Sequence, residues 1–147
     1  MFEHTISSQK VEINAPIERV WNILIDLEKY GEWNPFVFRM ESTLVVGDPI
    51  IIYVQMNARS KMVVKEQVTQ FELHRRLAWR ATYPRFLIND ERIQELEPLE
   101  NGNCSYYSYE TFRGLAIPLL MLAYKSDIQR GFDGVALALK RRAEAMQ

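Results

Sequence analysis

Two alternating runs meet at Glu100-Asn101-Gly102: Arg92, Gln94 and Leu96 before it, Tyr106, Ser108 and Glu110 after it. A three-residue hairpin loop places Gly102 at the left-handed position that such loops favour. Leu96 then faces Tyr106, Gln94 faces Ser108, and Arg92 faces Glu110. The opposite parity carries Glu91, Glu95, Glu97, Tyr107 and Tyr109, which suits a solvated face, so the first set is expected inside. A two-residue loop at Asn101-Gly102 would break this pairing, because a one-residue slip turns every side chain to the other face.

An inward Arg92–Glu110 pair beside Gln94 and Ser108 allows three chemistries. It can be an ion pair that satisfies itself inside the core. It can be an anchor, with Arg92 holding a ligand oxygen that Glu110 orients. It can also be catalytic, with Glu110 removing a proton α to a carbonyl while Arg92 stabilises the enolate. One carboxylate and one cation recur in many buried networks, so the pair alone assigns no catalytic residue.

Other chemistries find less support. Cys104 is the only cysteine, so no intrachain disulfide forms, in keeping with a reducing compartment. It sits in a strand-like run without a partner base, as a small semi-buried residue does. His4 and His74 are the only histidines and build no metal-ligand spacing, so neither metal nor cofactor is expected. With 18 Lys+Arg against 19 Asp+Glu, the net charge is −1, and nothing resembles the basic stripe of a nucleic-acid binder. The cluster Lys140-Arg141-Arg142 complements the dipole at a helix end.

A core must position these groups. The chain has 147 residues, 48% hydrophobic and 25% charged, which fits one globular domain over residues 1–147. Val11 and Ile13 alternate with polar neighbours as a first strand. Asn14-Ala15-Pro16 offers a capping residue and a proline for a first helical turn, followed by Val20, Trp21, Leu24 and Leu27 at helical spacing. Pro35 ends a second short helix containing Tyr30 and Trp33. Strands are then expected over 36–44, 50–56, 62–71, 77–83, 86–96 and 104–112, separated by tight turns that require antiparallel pairing.

Met121, Tyr124, Ile128, Phe132, Val135 and Leu139 form one apolar helical stripe, with Lys125, Gln129, Asp133 and Lys140 opposite. Gly131 and Gly134 each cost about 1 kcal/mol inside a helix. They make sense where the helix approaches another backbone closely or leaves room for something. The N-terminus shows no basic-then-apolar leader. The most apolar segment, 115–124, is far shorter than the ~20 residues that span a bilayer, so a cytoplasmic protein is expected.

Three stretches together resemble the START-like (SRPBCC) superfamily, in its polyketide cyclase/dehydrase branch. They are Ile13-Asn14-Ala15-Pro16 with Val20-Trp21, Asp26 and Trp33-Asn34-Pro35-Phe36; Arg76-Leu77-Ala78-Trp79-Arg80; and Glu95 to Leu99 through Asn101-Gly102 to Phe112-Arg113-Gly114-Leu115. The resemblance implies an α+β helix-grip fold: a curved antiparallel sheet of six to seven strands around a long C-terminal helix running from near Pro118 to near Ala145. Two short helices follow the first strand. It also implies a cavity between the concave sheet face and that helix. Trp33, Phe36, Trp79 and Phe112, with Met121, Tyr124, Ile128 and Phe132 from the helix, are its candidate walls. Asn34 is expected to brace the Trp33-Pro35 turn instead. Gln94 stands where relatives often carry an aromatic, and Arg92 where a histidine is common, so a more polar inner end is expected here.

The leading expectation is a binding or transport protein for a small, mostly apolar, lipid- or polyketide-like molecule anchored at Arg92. The alternatives are a cyclase or dehydratase acting on a polyketide-like carbonyl compound, and an interaction or regulatory module using Leu115–Leu122. Against an enzyme stands the lack of an inward histidine or of a nucleophile with a companion base. Nothing in the sequence fixes the oligomeric state.

Overall fold

Turn chemistry sets the strand order. The computed structural model describes residues 2–146. Strands β1 (Glu3–Ser7) and β2 (Val11–Ile13) lead into helix α1 (Ile17–Ile25) and a short 3-10 helix (Leu27–Glu32). Strands β3 (Val37–Ser42), β4 (Pro49–Asn57), β5 (Ser60–Glu72), β6 (Arg76–Ala81), β7 (Asn89–Pro98) and β8 (Cys104–Arg113) follow, and helix α2 (Ile117–Ala145) closes the chain. The strands pair antiparallel in the order β1-β8-β7-β6-β5-β4-β3, with β2 also on β8. Bulges between Val37 and Arg39, Gln55 and Asn57, and Val68 and Gln70 bend the sheet. Its concave face wraps α2, as the helix-grip expectation requires.

The chain ahead of the last hairpin departs from expectation in three ways. Val11–Ile13 is the second strand, not the first. Glu3–Ser7 precedes it, and both segments lie along β8, which brings the sheet to eight strand segments. Asn14 caps nothing: Pro16 is the N-cap residue, and the Asn14 backbone N–H donates to Glu144 Oε2 at 2.8 Å. The strand expected from Phe86 starts at Asn89, because Pro84 to Ile88 form a turn in which the Leu87 and Ile88 amides bond the Pro84 carbonyl.

The last hairpin has the expected register. Arg92 faces Glu110, Gln94 faces Ser108, and Leu96 faces Tyr106. The Leu99 N–H bonds the Asn103 carbonyl across a three-residue loop, and Gly102 has φ +85°.

Ile128, Phe132, Val135 and Leu139 are buried on α2, each contributing about 1.5–3 kcal/mol of transfer free energy. The polar side of α2 does more than meet solvent. Gln129 Nε2 donates to the Ser7 carbonyl, Asp133 Oδ1 accepts from the Gln9 N–H, and Lys140 Nζ donates to the Glu12 carbonyl. With Glu144 at Asn14, this row holds the backbone where β1 gives way to β2 and α1.

Gly131 answers to a side chain, not to a backbone or an empty space. A Cβ at Gly131 would overlap the Phe36 ring, whereas one at Gly134 would meet Pro35 Cγ at an ordinary 3.5 Å. The Phe36 ring reaches this point because the Asn34 side chain folds the chain ahead of β3. Asn34 Oδ1 accepts from the Phe36 and Val37 amides at 3.0 and 2.8 Å, so it braces the turn as expected.

Candidate ligand-binding site

A cavity of about 210 Å³ lies between the concave sheet face and α2. Its apolar walls include Val54 and Ile52 of β4, Val64 of β5 and Trp79 of β6. Ile128 and Phe132 cover it from α2. Met56, Met62, Tyr83 and Leu120 are its less buried lining residues and mark its open side. Alternation makes this surface, since every second residue of β4 and β5 turns inward.

The inner end is polar. Arg92 and Asp90 of β7, Glu110 of β8 and Glu66 of β5 all reach the cavity wall. Arg92 is only 6% exposed, yet its Nε and Nη2 have no hydrogen-bond partner. Although Arg92 and Glu110 are register partners, no ion pair among the described residues includes Arg92, so the expected self-satisfying pair is absent. The guanidinium instead lies over aromatic faces, its Cζ 4.2 Å from the centre of the Phe132 ring and 5.8 Å from that of Trp79. Such contacts offset desolvation by roughly 2 kcal/mol. They leave the Nε–H and Nη2–H donors unused.

Glu110 has another acid for a neighbour. Burial first, then a hydrogen bond with Asp90 and the charges of Asp90 and Glu66, raise its pKa well above the ordinary carboxyl value, with Arg92 opposing. Glu66 is half-buried as a residue, but its Oε2 is enclosed and unpartnered. Burial, then the Asp90 charge, push Glu66 up to about 8 against the pull of Arg92. Asp90 Oδ1 accepts the Ala81 N–H at 2.9 Å. Near neutral pH Glu66 therefore keeps its proton and can act as a donor, and burial favours the protonated form of Glu110 as well.

Of the residues expected at the site, Phe36, Trp79, Arg92, Glu110, Phe112, Tyr124, Ile128 and Phe132 line the cavity. Five do not. Trp33 lies in a separate surface cleft between α1 and the end of α2, with Arg19 and Arg142. Gln94, Tyr106 and Ser108 are buried outside the cavity wall, where the Tyr106 hydroxyl donates to Gln94 Oε1 at 2.6 Å. Met121 packs half-buried against the core.

Sequence reasoning missed Glu66 and Asp90. Asp90 shares the inward parity of Arg92 and Gln94, so that signal was present. Glu66 shares the parity of Met62 and Val64 in a strand whose inner face the sequence did not orient.

A family model described as polyketide cyclase/dehydrase and lipid transport matches residues 4–144. The chain belongs to that family. No curated protein matches its sequence. Solved structures share its fold at low identity. A START superfamily protein of Mycobacterium smegmatis has a TM-score of 0.74 at 19% identity, covering 98% of this chain and 99% of its own. A Thermus thermophilus protein gives 0.74 at 16%, covering 97% and 98%. The Zhui aromatase/cyclase of a Streptomyces species gives 0.69 at 14%, covering 96% of each chain. Members of this START-like family bind hydrophobic ligands and include some cyclases. Among the described residues no helix is long and apolar enough to cross a membrane, and no cluster of metal-ligating side chains occurs.

Proposed function

We propose that the protein binds or carries one small, mostly apolar molecule in the cavity between sheet and α2, with its polar end at Arg92. The observation that carries this reading is a buried guanidinium with two unused donors at the closed end of an apolar chamber. Polar groups buried without partners are rare in folded proteins, and an orienting group in a ligand pocket is one reason for them.

Volume limits the occupant. An apolar cavity of about 150 Å³ holds benzene, and drug-sized ligands occupy about 300–1,000 Å³. About 210 Å³ therefore suits a one- or two-ring compound or a short chain. A long-chain lipid would need α2 to move away from the sheet.

The cyclase or dehydratase alternative draws less support, because among the described residues no histidine and no nucleophile with a companion base stands on the cavity wall beside Glu110. A second role, as an interaction surface, draws support from Leu115, Leu119 and Leu122. They are 62, 71 and 85% exposed at the start of α2, beside the open side of the cavity.

Native mass spectrometry of protein purified from its own host tests the binding reading. A co-purifying mass in the one- to two-ring range, at one per chain, is expected. Protein that neither carries such a mass nor takes up any apolar probe would contradict it.

A further inference from the structure

We propose that the Arg92 end of the cavity recognises a neutral oxygen acceptor, such as a ketone, aldehyde or ester carbonyl, and rejects the isosteric carboxylate. This rests on the ligand-binding reading above and names the chemistry it selects. Arg92 offers Nε–H and Nη2–H donors with no partner. Unmatched donors call for an acceptor, and an apolar molecule carrying one oxygen supplies it.

The surroundings decide the charge of that acceptor. Glu66, Asp90 and Glu110 already place three carboxyl groups around a single cation. No other element adds a charged side chain to the wall: β3 gives Val37, β4 apolar residues only, β6 Trp79 and Ala81, and α2 Tyr124, Ile128 and Phe132 among others. A ligand carboxylate would be a fourth acid sharing one guanidinium in an enclosed space that already drives protons onto Glu66 and Glu110, so its charge would be disfavoured there in the same way. A carbonyl takes the same donors and brings no charge. Glu66, holding its proton up to about pH 8, adds a further donor whose loss at higher pH replaces a hydrogen bond with a repelling charge.

Calorimetric titration of the whole protein with acetylnaphthalene and with naphthoate separates the two chemistries at nearly constant shape. Near neutral pH the ketone should bind at least about tenfold more tightly, the size of one charge-assisted hydrogen bond. Arg92→Met should lose about tenfold in ketone affinity, again one such bond. In the wild type, ketone affinity should fall as pH rises through 8, and Glu66→Gln should abolish that fall. Naphthoate binding as tightly as the ketone, or a pH-dependent fall that persists in Glu66→Gln, would overturn the proposal and leave the cavity reading standing. Binding of neither compound would overturn both. If circular dichroism shows Arg92→Met to be unfolded, the wild-type comparison and Glu66→Gln decide the outcome.

Discussion

At the scale of single residues, the inner end of the cavity inverts the usual rule that a buried charge finds a counter-charge. Arg92 rests on Phe132 and Trp79 while burial favours the protonated forms of the neighbouring Glu66 and Glu110. This has a pH consequence with a definite sign. Glu66 titrates at 4.5 in an ordinary environment and at about 8 in the fold, so between those values the folded state binds more protons than the unfolded one. Its contribution is fully present below pH 4.5 and is lost as pH rises through 8. Urea midpoints should decline across that window in the wild type and decline less in Glu66→Gln. A midpoint that rises through the window would show that Glu66 is ionised in the fold. Parity across the Asn101-Gly102 loop made the Arg92–Glu110 register legible in the sequence. The lack of a bond between them was not legible, because it depends on Asp90 and Glu66 arriving from neighbouring positions in space.

At the scale of elements, α2 is shaped by what it covers. Gly131 exists because the Phe36 ring occupies the place of a side chain, while Gly134 has room for a methyl group. The two glycines should therefore respond oppositely. Gly131→Ala should destabilise the protein by about 1–3 kcal/mol through overpacking, despite its better helix propensity. Gly134→Ala should stabilise it by about 0.5–1 kcal/mol. Chemical denaturation of the two variants checks this, and equal effects would show that helix propensity alone governs both sites. The polar row of α2 supports a further expectation. Asp133→Ala removes the acceptor of the Gln9 amide, so exchange protection at Gln9 should fall while protection in β7 and β8 stays unchanged. The expected bounds of α2, near Pro118 and near Ala145, fall within one residue of the observed Ile117 and Ala145. The N-terminal strand escaped notice because Glu3 to Ser7 bury only Ile6 fully, too little alternation to stand out from a tail.

At the scale of the whole molecule, the sheet and α2 make a half-closed chamber with one polar end and a side framed by Met56, Met62, Tyr83 and Leu120. The fold was legible because turn residues and alternation recur along the entire chain. The chamber's contents were less so, since family resemblance placed Trp33 and Met121 on walls they do not form. Trp79 and Trp33 now serve as opposed reporters, one lining the chamber and the other the separate cleft beside Arg142. A heteronuclear NMR titration with acetylnaphthalene, reading the indole N–H signals, tests the central claim most directly. Saturable shifts at Trp79 and along Ile128 and Phe132, at one ligand per chain and with Trp33 unmoved, are the predicted result. Shifts confined to Trp33 and the Arg142 cleft, or none at saturating ligand, would contradict a ligand chamber between sheet and helix.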